Sequence, residues 1–206
     1  MDEKEMNTEQ LILRAAEEEF FKHGYAGAKT VSIARRAGIS HSMLHYYFRT
    51  KENLFQQIFL QKVQTLTQIF TGIVEEHLPF EASLRKFIGE QFNFAAQNPQ
   101  LPRFVLNEVL TNKENRRHVL EVFAPKLSVI FTNLQQMLDN EIRAGRVRPI
   151  TVRDLVMNIV SLNISVFLAM PVLEEISQLK DPAVREQFLA ERRESNVRFI
   201  LNALRP

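Results

Sequence analysis

Apolar residues recur at helical spacing along nearly the whole chain, and the pattern stops only at glycine or proline. That periodicity predicts an all-α fold, with no strand or internal repeat. A first helix is expected from about Thr8 to His23, capped by Asn7 or Thr8 and ended by Gly24. Its inner stripe is Ile12, Ala15, Ala16 and Phe20. A short helix follows at about Thr30–Ala37. Gly38 supplies a left-handed turn, and Ser40 caps a third helix ending near Phe48. Thr50 caps a long fourth helix with Leu54, Ile58, Val63, Leu66, Ile69 and Val74 on its stripe. After Leu78-Pro79 come helices at about 81–97, 102–111 and 114–144, with Pro125 as a kink or boundary. Thr151 caps an uncharged helix to about Ala169, with Pro171 as its end, and a last helix covers about Pro182–Leu204. The expected organisation is an N-terminal head at 1–50, a bridging helix at about 51–77, and a C-terminal body within 51–206.

Charge placement says what the head is for. Between Phe20 and Lys51 there is no Asp or Glu, although 24 acids in 206 residues predict about four in such a stretch. Lys22, Lys29, Arg35, Arg36, Arg49 and Lys51 make the stretch basic. Within it, Ile33 to Phe48 reads as helix, glycine turn, helix. A basic stretch on that motif is the electrostatic footprint of a DNA-binding head. The second helix of such a pair enters the major groove. Leu44 and Phe48, four apart, share one face and are expected to pack on Ile33, Ala34 and Ile39. His41, Ser42, Met43 and His45 are left nearer the bases. Tyr46 and Tyr47 carry hydroxyls for phosphate oxygens, and Lys51 opens the fourth helix, where an ammonium and free N–H groups favour phosphate. Arg35 and Arg36 read as a solvated face. His41 and His45 have the spacing of metal ligands but lack a clear third, so no metal is expected.

These residues also carry a resemblance. Phe20-x-x-x-Gly24-Tyr25, Ile33-Ala34-x-x-Ala37-Gly38-Ile39-Ser40 and Leu44-His45-Tyr46-Tyr47-Phe48-x-x-Lys51-Glu52-x-Leu54 strongly resemble the TetR family of bacterial transcriptional regulators, over roughly residues 8–60. The resemblance implies a helical homodimer whose first three helices bind DNA and whose larger body binds a small effector. Carried over by position, contacts to bases and phosphates fall on Lys29, Thr30, Ser40, His41, Ser42, Met43, His45, Tyr46, Tyr47 and Lys51. Three positions depart from the family pattern. His45 stands where Tyr is usual, Lys29 where Thr or Ser precedes the second helix, and Ser32 where an acid is usual. Thr30 is then the expected replacement cap, and Lys29 an added phosphate contact.

In the body, Phe87, Phe92, Phe94, Phe104, Phe123, Phe131 and Phe167 make an aromatic-rich set that is mostly core. Phe87, Phe92, Phe104, Phe131, Asn163 and Phe167 are the candidate lining of an effector pocket for an elongated, largely apolar molecule. A buried amide at Asn158 or Asn163 needs a partner. His118 has no assigned role. Leu155 to Val172 is uncharged, but Asn158, Ser161, Asn163 and Ser165 interrupt it, so it reads as a core helix rather than a membrane span. It is apolar on two wide faces, which calls for two packing partners. The expected dimer interface is Leu155, Ile159, Leu162 and Val166 with Phe188, Phe199 and Ile200 of the last helix.

With no cysteine, the chain fits a reducing cytoplasm, and its acidic opening residues are not a signal peptide. The chain has no HExxH motif, phosphate-binding glycine loop or nucleophile motif, so neither an enzyme nor a cofactor is expected. The reading is a homodimeric, ligand-responsive repressor on a near-palindromic DNA operator, with an activator role open. Its rival is an all-α carrier of small molecules whose basic head is incidental.

Overall fold

The computed structural model describes residues 7–206; the opening residues and some side chains, those of Val63, Val74, His118 and Phe123 among them, lie outside the described residues. The elements are α1 (Thr8–Gly27), α2 (Thr30–Arg36), α3 (His41–Phe48), α4 (Lys51–Glu75), α5 (Phe80–Gln97), α6 (Leu101–Val105), α7 (Lys113–Arg143), α8 (Val152–Ile176) and α9 (Pro182–Ala203). A π-helical turn, Leu106–Leu110, follows α6. The fold is all-α, with no strand among the described residues.

The helix starts follow the capping chemistry. Asn7 and Gln10 form a reciprocal box at α1: Gln10 N–H donates to Asn7 Oδ1 (2.9 Å) and Asn7 N–H to Gln10 Oε1 (3.3 Å). Thr50 accepts from Asn53 N–H at 3.1 Å and Thr151 from Asp154 N–H at 3.0 Å. Gly24 takes φ 67° and ψ 175°, outside the helical region, so the regular helix breaks there as expected, and one more short helical turn follows to Gly27. Pro125 and Pro171 do not break their helices; α7 and α8 run through them. A mid-helix proline costs about 3 kcal/mol. At Pro171 the turns on both sides are held: Met170 and Leu173 pack into the cluster of Phe92, Val166, Phe167 and Leu179.

The chain forms two compact units. The first runs to Thr65 and takes in Arg103–Val122; the second comprises Leu66–Pro102 and Phe123–Pro206. The division falls inside α4 rather than at residue 50, because Phe55 and Phe59 of α4 belong to the aromatic core of the first unit. There Phe55 meets Phe20 edge-on at 5.4 Å and Phe104 at 5.2 Å, and Phe104 also meets Phe21 and Phe59. Lys62 pairs with Glu17 at 2.8 Å.

The second unit is built on α5, α8 and α9 packed together. Leu84 and Ile88 of α5, Leu138 of α7, Leu155 and Ile159 of α8, and Val197 and Ile200 of α9 form its main cluster. Burying each such side chain stabilises by roughly 1.5–3 kcal/mol. Three amides lie between these helices. Asn163 Nδ2 donates to Ile88 O (2.9 Å) and Gln91 Oε1 (2.6 Å), and Asn196 Nδ2 donates to Asn163 Oδ1 (2.9 Å) and Leu162 O (3.2 Å). The buried amide at 163 thus finds its partners within its own chain. After α7, Gly145 (φ 70°) turns the backbone and Arg146 grips Glu141 with two bonds of 2.7 and 2.8 Å. That hydrogen bonding holds the Glu141 carboxyl below the ordinary carboxylate range. α8 is long and apolar enough to cross a membrane by length and composition. One of its apolar faces packs against α5 and α9.

Candidate nucleic-acid interface

α2 packs on α1 and on α3. Ile33, Ala34, Leu44 and Phe48 are buried, and Ile39 is half-buried. Gly38 makes the turn at φ 70°; a Cβ there would meet nothing, so the backbone angle rather than space calls for glycine. Ser40 caps α3, its Oγ accepting from Met43 N–H at 3.2 Å and lying 2.9 Å from Ser42 Oγ.

The start of α2 is organised differently from the sequence expectation. Thr30 does not cap the helix: its hydroxyl lies 3.0 Å from His41 Nε2 and so ties α2 to α3. The N–H of Lys29, the N-cap residue, instead donates to Glu19 Oε1 of α1 at 3.2 Å. Glu19 is only 4% exposed, and Arg36 approaches its other oxygen at 4.0 Å while bonding Glu18 at 2.7 Å. Glu19 is a structural residue that sequence reading missed. Its only signal was position, as the last acid before the acid-free stretch. Arg36 is likewise committed to these two acids, in keeping with its reading as something other than a base reader.

The sequence-selected residues fall into two classes of exposure. Lys29, Ser40, His41, Ser42, Met43, His45, Tyr46 and Tyr47 are exposed, Tyr46 at 82%; Thr30 and Lys51 are partly buried. They occupy the start of α2, the outer faces of α3 and the first residue of α4. Tyr46 and Tyr47 stand edge to face at 5.6 Å, and the rings of His41 and His45 do so at 4.5 Å. His45 Nδ1 lies 2.9 Å from the carbonyl oxygen of Arg49, which itself takes φ 56°. Lys51 Nζ sits 4.8 Å above the Tyr25 ring and donates to Ala26 O at 3.4 Å. Its charge stays at the surface beside the first turn of α4. Among the described residues no group of three or more His, Cys, Asp or Glu could hold a metal ion.

Residues 12–58 match the model of the bacterial regulatory proteins of the tetR family. That segment of the chain is similar to the TetR family's DNA-binding segment. Among relatives, the HTH-type regulator YhgD of Bacillus subtilis is 24% identical over 145 residues, covering 70% of this chain and 74% of that one. The HTH-type regulator RutR of Escherichia coli is 23% identical over 145 residues, covering 70% and 66%. The fold matches the crystal structure of the transcriptional regulator FadR from Bacillus subtilis in complex with stearoyl-CoA, with a TM-score of 0.69 at 19% identity, over 94% of this chain and 98% of that one.

The six candidate pocket residues are divided between the two units. Phe104 belongs to the first unit's core. Phe92 and Phe167 pack on each other at 5.2 Å inside the second unit, and Asn163 is saturated by its own chain. Phe131 is half-buried. Phe87 borders a cavity with Phe70, Ile73, Leu84, Ile130 and Met137; its volume is about 30 Å³, room for a water rather than an effector. Helical spacing brings aromatics inward but does not say whether they enclose a void or fill it.

The interface candidates also need correction. Leu155, Ile159, Val166 and Ile200 are buried within their own chain, so they are not available to a second subunit. Leu162 and Phe188 are partly buried against the same clusters, and Phe199 is 61% exposed. The exposed apolar face of α8 is the opposite one: Met157, Val160, Leu168 and Val172, spaced three, eight and four residues apart and so on one side of the helix.

Proposed function

We infer that this transcriptional regulator is a homodimeric, ligand-responsive repressor acting on a near-palindromic operator. The observation that carries the reading is the outer face of α3, which presents His41, Ser42, Met43, His45, Tyr46 and Tyr47 from an acid-free stretch of chain. Two such helices in successive major grooves would read half-sites about 34–36 Å apart. Head and body divide the work, with α4 shared between them. Dimerisation is assigned to the exposed row Met157, Val160, Leu168 and Val172 of α8 together with Phe199 of α9. Contiguous apolar surface of this kind marks an interaction site.

Ligand response is supported by likeness to FadR, whose structure holds stearoyl-CoA, rather than by the small cavity beside Phe87. The effector class this favours is a long apolar molecule. A ligand shifts DNA affinity only through its differential affinity for two states. Fluorescence anisotropy on duplexes from the region flanking the gene tests the whole reading. Binding should fall linearly with the logarithm of salt, and stearoyl-CoA as probe should release the duplex. Salt-independent binding, or none, would favour the carrier reading.

A further inference from the structure

The recognition face holds a side chain whose hydrogen-bonding sense is set by the fold. A backbone carbonyl can only accept, so the 2.9 Å contact between His45 Nδ1 and Arg49 O puts a hydrogen on Nδ1. In a neutral ring the other nitrogen, Nε2, is then an acceptor and cannot donate. Nε2 meets no hydrogen-bond partner among the described residues, and His45 is exposed. His41 differs, because its Nε2 is engaged by Thr30 at 3.0 Å.

We propose that His45 is a specificity-determining residue whose Nε2 reads an exocyclic amino group in the major groove. The inference rests on α3 being the base-facing helix. On the major-groove edge adenine N6 and cytosine N4 donate, whereas guanine N7 and O6 accept. A lone pair on Nε2 pairs with the first two and is repelled by the last. Adding a proton converts Nε2 into a donor and reverses the choice toward guanine. The Nδ1–H bond to Arg49 O survives in both states, so the ring keeps its place while its free edge changes sense.

The surroundings bear on the charge of that edge. His41 lies ring to ring at 4.5 Å on the same helix. α2, packed against α3, contributes Lys29, Arg35 and Arg36, the last paired with Glu18. Arg49 and Lys51 follow α3. These neighbours are thus cationic or titratable.

The test is selection of binding sites by the full-length chain from a duplex pool with a randomised centre, at about pH 8 and about pH 6, the range over which imidazoles change charge. At the higher pH one position per half-site should be enriched in adenine or cytosine by about fivefold, the factor one neutral hydrogen bond supplies. At the lower pH that enrichment should fall and guanine should rise. His45→Ala should erase the preference at that position alone, at both pH values, leaving the other positions selected. Identical sites for the unmutated chain and His45→Ala would overturn the proposal. So would uniform weakening of all duplexes with a salt slope lower by about one, which marks a phosphate contact. Absence of duplex binding by the unmutated chain would instead sink the parent reading of α3.

Discussion

Glu19 is where one side chain decides the shape of the head. Its carboxylate accepts from the Lys29 N–H and faces Arg36, so it ties the start of α2 to α1. Glu19→Ala should therefore destabilise the protein by about 1–3 kcal/mol, since a partly buried N–H loses its acceptor. Urea unfolding measures it, and a loss under a few tenths would show the cap to be unimportant. At the surface of the same head, Tyr47→Phe should weaken binding to every duplex and lower the salt slope by about one. Ser42→Ala should instead change which sequences are preferred. The identities of these exposed residues were legible in the sequence because Leu44 and Phe48 mark the inner face of an eight-residue helix. Glu19 was not, because its role depends on a contact ten residues away across a turn.

At the scale of an element, α8 separates what periodicity reveals from what it conceals. Two apolar faces were readable, and two exist. Which face meets its own chain was not readable, and the candidate residues lie on the inner one. Residues such as Leu155, Ile159, Val166 and Met170 point into the subunit, and Met157, Val160, Leu168 and Val172 point away. The buried Asn163 marked the inner face, since its amide needs partners that α5 and α9 supply. Ile159→Ala should accordingly cost about 2–5 kcal/mol of stability without being an interface change. Val160→Glu should leave the subunit folded and lower its association state in sedimentation, together with operator affinity. A dimer unaffected by Val160→Glu would remove the assignment of that face. The helix boundaries were read well where side chains cap them and poorly at Pro171, where packing rather than local preference keeps the helix intact.

At the scale of the molecule, the all-α architecture followed from spacing alone, but the grouping of helices into units did not. The first unit is not one stretch of chain. It includes Arg103–Val122, reached only after the chain has passed through Leu66–Pro102. Phe104 from that returning segment stands against Phe21, Phe55 and Phe59. A fragment ending at Thr65 should therefore be less cooperative on thermal melting than the same unit within the whole chain, and should expose aromatic surface to a hydrophobic dye. Equal melting behaviour would show the segment to be dispensable. For engineering, the DNA-reading part of this protein is not a cassette to be cut out and grafted onto another sensor at residue 50. A chimera that keeps its operator specificity has to carry two separate stretches of sequence, spliced in at both ends of a foreign insert.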